Sequence, residues 1–215
     1  MNKFESELAQ NLMQINAIKI SLQNPFKWAS GIVSPIYCDN RLTLSYPAIR
    51  DQICRGLTQL TKAFPKVTMV TAVATAGIPH GVLVANALNL PFSYVRATAK
   101  SHGRQNIIEG DIKAGSKIVV IEDLISTGNS SLDVVQILRD AGHEVLTVVS
   151  IFDYGFSIAR ENFKKYDCTY QSLLTYKSLL KHAVSSQYIS QEEEQILSKW
   201  SSDPENWYQN HFITT

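Results

Sequence analysis

A chain of 215 residues, 45% hydrophobic and 18% charged, can bury a sizeable core and suits a single domain spanning residues 1–215. Against 19 acidic residues stand 20 Lys and Arg, a formal net charge of +1. That balance excludes a surface built to coat nucleic acid, so any anion site must be a local cluster. The cysteines Cys38, Cys54 and Cys168 are scattered, with no C-x-x-C pair, which fits a reducing cytoplasm better than a disulfide framework. The N-terminus carries acids and lacks the apolar stretch of a signal peptide, and no apolar run approaches the ~20 residues that span a bilayer. A cytoplasmic protein without a membrane anchor is expected.

In chain order, Leu8, Leu12, Ile15, Ile18 and Leu22 recur at helical spacing and predict an amphipathic helix over about 3–21. Phe26 to Gly31 breaks it. Ser30 to Arg41 reads as extended, with Pro35 holding Ser34 out of the helical region. Pro47 opens a helix to about Ala63. The chain then alternates. Strands are predicted at Val67–Val73, Phe92–Arg96, Lys117–Asp123, Glu144–Phe152 and Cys168–Leu173, the last strand of the chain. Helices are predicted at Ile78–Leu88, Ser130–Ala141 and about 156–165. Such alternation implies an α/β fold with a central, mostly parallel sheet flanked by helices. Ser190-Gln-Glu-Glu193 is a capping box that opens a C-terminal helix to about Trp200. Between Arg96 and Lys117 lies a stretch without periodicity, long enough to read as a lid or binding loop.

Chemistry concentrates at one join. The apolar run from Lys117 ends in Glu122 and Asp123, then Leu124, Ile125, Ser126, Thr127, Gly128, Asn129 and Ser130 turn into a helix. Ligands of a parallel sheet sit off the carboxyl ends of its strands. Backbone N–H groups of residues 127–130 would face a phosphate at the positive end of that helix, with hydroxyls of Ser126, Thr127, Ser130 and Ser131 as further donors. The two acids can accept from vicinal ribose hydroxyls, or meet Mg²⁺ through water. The acid-free run from Arg96 to Ile108 carries Lys100, His102 and Arg104 and could clamp a pyrophosphate. Ala74-Thr-Ala-Gly77 is a small-residue turn that lets backbone amides approach an anion, or is plain turn chemistry. His143 and His182 stand isolated and are read as structural or surface residues. Gly110 to Lys117 has P-loop glycine spacing, but Ser precedes Lys and the segment leads into a strand. No zinc-type spacing and no G-x-S-x-G elbow is present.

Val119-Val-Ile-Glu-Asp-Leu-Ile-Ser-Thr-Gly128 closely resembles the phosphoribosyl-pyrophosphate motif of the type I phosphoribosyltransferases. Ser30-Gly-x-x-Ser-Pro-Ile-Tyr-x-Asp-x-Arg41, Ala74-Thr-Ala-Gly-Ile-Pro79 and Arg96-x-x-x-Lys-x-His-Gly103 are similar to the orotate-specific branch. The resemblance covers nearly the whole chain. It implies transfer of ribose 5-phosphate from phosphoribosyl pyrophosphate to orotate, giving orotidine 5′-phosphate on the way to UMP. It implies Mg²⁺ carried mainly by the pyrophosphate, with no metal ligand directly from the protein. A homodimer sharing loop 97–110 between subunits is also implied. By position, Arg96, Lys100 and His102 would hold the pyrophosphate and residues 122–130 the ribose and its 5-phosphate. Ser126 would face orotate, and residues 1–45 would contribute an N-terminal helix and a hood over the base. Lys100, His102 and Asp123 are the candidate catalytic residues. Several positions depart from the family pattern: Ala97 and Thr98 where a loop lysine is common, Val33 for a basic residue, Asn129 for glycine, and Asp153-Tyr-Gly155 where some members place an arginine. A transferase for another base, or a non-catalytic phosphoribosyl-pyrophosphate-binding regulator, remain the alternatives.

Overall fold

The computed structural model describes residues 2–28, 30–96 and 107–210. Its centre is a six-stranded sheet. In chain order the strands are β5 (Met69–Val73), β6 (Phe92–Val95), β7 (Ile108–Glu109), β8 (Lys117–Ile125), β9 (Glu144–Asp153) and β10 (Tyr170–Thr175). Across the sheet the order is β10-β9-β8-β5-β6-β7, parallel except for the β6–β7 pair. The α/β expectation therefore holds. Burial on both faces explains why β5 is wholly apolar or small and fully buried.

Helices cover both faces. α2 (Pro47–Lys62), α3 (Gly77–Leu88), α4 (Asn129–Asp140) and α5 (Ser157–Lys165) match the predicted helices closely. Two more, α6 (Tyr176–Ser185) and α7 (Gln191–Ser202), follow the last strand. Along β8 the side chains alternate between two cores, as the two-residue strand period requires. Val119 and Ile121 join the core under α2, α3 and the terminal helices, while Ile118 and Val120 join the core under α4 and α5. Past the acids the alternation falls out of step: Leu124 packs with the first core and Ile125 with the second.

The N-terminal segment departs from expectation. α1 (Lys3–Gln14) ends well before residue 21, because Asn16 adopts a left-handed φ of 59° that a helix cannot carry through. Ile18 and Ile20 belong instead to β1 (Ile18–Ile20), antiparallel to β4 (Ile36–Cys38). A second small sheet pairs β2 (Phe26–Lys27) with β3 (Val33–Ser34), and a 3-10 helix (Asn40–Ser45) leads into α2. Other differences are smaller. β5 begins at Met69, not Val67, β10 begins at Tyr170 and runs to Thr175, and the stretch between β6 and β8 contains the short strand β7.

Candidate functional site

Strand β8 is two residues longer than expected, so Glu122 and Asp123 lie inside it and not at its end. The turn Ser126–Gly128 follows directly, and α4 starts at Asn129. Gly128 makes that turn possible with a φ of 79°. A Cβ there would also lie 2.6 Å from the Phe163 ring. The first amides of α4, like those of any helix, have no intrahelical acceptor; no side chain caps them, and Ser131 in this turn bonds Glu122. That is the anion-binding end of a helix dipole. Asn162 on α5 braces the turn from outside. Its Nδ2 donates to the Thr127 carbonyl at 3.0 Å and to the Asn129 side-chain oxygen at 3.1 Å.

The two acids sit differently. Glu122 is only 5% exposed. One of its oxygens accepts the Asp123 N–H at 3.0 Å, and the other accepts the Ser131 hydroxyl at 3.1 Å. Each oxygen thus already holds a bond, and Ser131 donates to the strand instead of reaching for a ligand. Burial, with the Asp123 charge adding, raises the Glu122 carboxyl well above the usual range. Asp123 is half-buried, and burial raises its carboxyl as well. Its backbone carbonyl accepts from Asn40 Nδ2 at 2.8 Å, which pins the start of the 3-10 helix to the diacid. Beside it, Asp39 and Arg41 form a bidentate pair at 2.7 and 2.9 Å, and the guanidinium holds the Asp39 carboxyl below its usual range. Among the described residues, no group of three or more His, Cys, Asp and Glu could hold a metal ion.

The small-residue turn before α3 packs against the same strand. A Cβ at Gly77 would come within 2.7 Å of the Ile121 carbonyl oxygen, immediately before the acids. The peptide between Ala74 and Thr75 is cis. Arg96 directly follows β6 and pairs with Glu109 of β7 at 3.4 Å, so the base of the basic loop is anchored at the sheet edge. Lys100, His102 and Arg104 lie outside the described residues. His182 is buried and shares a 3.0 Å hydrogen bond with the Ser6 hydroxyl, while His143 Nδ1 is buried without a hydrogen-bond partner.

Three residues of this neighbourhood escaped the sequence. Asn40 and Asn162 reach the site from far along the chain, and nothing local marks either. Tyr154, directly after β9, is 2% exposed, and its backbone N–H donates to the Ile125 carbonyl at 3.0 Å. Its only signal was the departure from the arginine some relatives carry.

A mostly parallel sheet with a diacid near the carboxyl end of one strand, a small-residue turn and an open helix N-terminus defines a class of ribose-phosphate-handling enzymes. Residues 45–177 match the phosphoribosyl transferase domain family. The chain is 48% identical over 205 residues to the orotate phosphoribosyltransferase of Cytophaga hutchinsonii, covering 95% of this chain and 98% of that protein. It is 48% identical over 204 residues to the orotate phosphoribosyltransferase of Bacillus subtilis, covering 94% of each. Among solved structures, the orotate phosphoribosyltransferase of Aeropyrum pernix superposes with a TM-score of 0.74 at 28% identity, covering 85% of this chain and 99% of that one. The Leishmania donovani UMP synthase gives 0.76 at 28% identity, covering 91% of this chain and 42% of that one. The chain belongs to the orotate phosphoribosyltransferase family.

Proposed function

We propose that the protein transfers ribose 5-phosphate from phosphoribosyl pyrophosphate to N1 of orotate, forming orotidine 5′-phosphate and releasing pyrophosphate. The observation that carries this reading is the near-full-length identity to orotate phosphoribosyltransferases. The amides at the start of α4 hold the 5-phosphate. Asp123 accepts from the ribose hydroxyls, and Glu122, fixed by Ser131, backs it. As the anomeric C–O bond breaks, positive charge grows on the ribose ring, and carboxylates nearby stabilise it. Arg96, Lys100 and His102 hold the departing pyrophosphate, and Ser126 faces the base. Residues 1–45 supply the hood, as part of one functional unit spanning 1–215.

The donor set suits a metal ion carried by the substrate. Both Glu122 oxygens accept hydrogen bonds within the protein, and Asp123 is the more exposed of the two acids. Mg²⁺, when bound with the pyrophosphate, supplies neutralisation of its charge. The working unit is a homodimer in which loop 97–110 reaches the neighbour's site. Among the described residues no helix is long and apolar enough to cross a membrane, and we place the reaction in the cytoplasm. The test is orotate consumption, followed by ultraviolet absorbance, with phosphoribosyl pyrophosphate and Mg²⁺ supplied. Turnover is expected. Tight phosphoribosyl-pyrophosphate binding without turnover of orotate would favour the regulator instead.

A further inference from the structure

We infer that Trp200, on the C-terminal helix, is a positioning residue for the base hood: it sets where the β2–β3 hairpin sits. The two halves of the hood are held by different means. In the β1–β4 sheet, Ile18 and Ile36 are fully buried in the main core, and Asn40 ties its end to Asp123. The β2–β3 sheet has only two residue pairs, Phe26 with Ser34 and Lys27 with Val33, and no hydrogen-bonded pairing to the central sheet. A two-stranded ribbon that short cannot fix its own position. Its anchor is Trp28. The Trp28 backbone closes the hairpin turn, accepting from Gly31 N and donating to Ile32 O, both at 2.9 Å. Its indole N–H reaches the Ile36 carbonyl at 3.2 Å.

The Trp28 ring then enters an aromatic cluster. Its centroid lies 5.0 Å from Tyr154 and 5.9 Å from Trp200, which it meets edge-on at 83°. Trp200 is fully buried and also touches Tyr154 at 5.9 Å, Phe156 at 5.4 Å and Tyr176 at 5.3 Å. One side chain of α7 therefore contacts both the hairpin anchor and the residue after β9. The Trp200 indole N–H is buried without a hydrogen-bond partner, a cost that phenylalanine would not carry. The breadth of the ring, not its polar group, is what this position uses. Tyr154 also lines a cavity of about 490 Å³ between the ends of β9 and β10 and helices α6 and α7. A smaller residue at 200 leaves a void beside Tyr154 and Trp28 into which either ring can lean, and Trp28 loses its backing. The hairpin then shifts while the diacid and its turn, held by Ser131 and Asn162, stay put.

The inference rests on the hood reading proposed above, and the test separates the two. Wild type and Trp200→Phe are titrated separately with orotate and with phosphoribosyl pyrophosphate, alongside thermal melts. For Trp200→Phe, the lost ring contacts and the removal of the unpaired N–H oppose each other, so the protein is expected to stay folded with only a small change in Tm. The orotate KM should rise ~5-fold and the phosphoribosyl-pyrophosphate KM should stay within ~2-fold. Trp28→Leu should act in the same direction, and the Trp28→Leu/Trp200→Phe double variant should lose less than the product of the two single losses. Equal changes in both KM values, or strictly multiplicative losses, would overturn the positioning role. Absence of orotate turnover in the wild type would instead sink the hood reading.

Discussion

Glu122 is held where water cannot solvate it, and that has a thermodynamic sign. Its folded-state carboxyl is raised by burial and by Asp123, so the folded protein binds this proton more tightly than the unfolded chain. The resulting stability is fully present below the unfolded carboxyl range and is lost as pH rises through the raised folded value. Ionising this carboxyl in the folded protein is a cost that grows as pH rises. Glu122→Gln keeps the shape and removes the charge, and one amide oxygen can still accept from Asp123 while Ser131 turns to accept. The ligand-free variant should be more stable than wild type at pH 7.5 and should lose that advantage near pH 4. Turnover should fall. A calorimetric Tm lower than wild type at pH 7.5 would show that the charge is stabilised by something else.

His80 works the other way. It is 1% exposed, its Nδ1 has no hydrogen-bond partner, and burial lowers its pKa to about 4. The unfolded chain takes up this proton first, near pH 6.5, so stability is present at neutral pH and declines as pH falls from about 6.5 towards 4. By pH 5 the loss from this one group is about 2 kcal/mol. Urea melts at pH 7 and pH 5 should show that decline in the wild type and a clearly shallower one in His80→Gln, even where Gln lowers stability at both pH values.

At the scale of elements, α3 is seated so closely on β8 that a single methyl group separates a fit from a clash. With a Cβ at Gly77 only 2.7 Å from the Ile121 carbonyl, and backbone on both sides, neither partner can give cheaply. Gly77→Ala should destabilise by about 1–3 kcal/mol and displace the strand just before the acids, so kcat should fall as well as Tm. Unchanged melting would mean that the two elements slide apart freely. The same scale shows what a sequence can and cannot carry. Ser190 and Glu193 announced α7 because a capping box is local, and both of its hydrogen bonds are present. The β1 strand was hidden because Ile15, Ile18 and Leu22 continue the helical spacing of Leu8 and Leu12. The break comes from the left-handed Asn16, and a three-residue strand is too short to display its own period. Helix α6 was missed because Thr175 ends β10 and caps α6 at once, its hydroxyl accepting from Ser178 N at 3.2 Å, with no breaker between them. The diacid and its turn were legible because they are contiguous. Asn40, Asn162 and the Trp28–Tyr154–Trp200 cluster were not, because their meaning exists only after the chain has folded.

For the whole molecule, the proposed site has one part fixed on the sheet and another carried by the loop between β6 and β7. The diacid, its turn and Arg96 stand on the sheet, whereas Lys100 and His102 belong to the loop that we propose serves the neighbouring subunit. That division has a consequence for mixed dimers. Asp123→Asn disables the sugar side of a site, and Lys100→Ala disables the pyrophosphate side. Each homodimer is therefore expected to turn over slowly. In a hybrid, the site on the Lys100→Ala subunit has an intact Asp123 and receives an intact loop from its partner, while the other site is damaged twice. Random exchange makes about half of the dimers hybrid, each with one whole site, so about a quarter of wild-type activity should return on mixing the two inactive proteins. A loop that closes over its own subunit gives no such recovery, because no combination then places an intact Lys100 beside an intact Asp123. The recovery should also depend on total protein concentration and on incubation time, since subunits must separate before they can exchange. Immediate full recovery, or none after exchange is verified by mass spectrometry of the mixed dimer, would reject the shared loop.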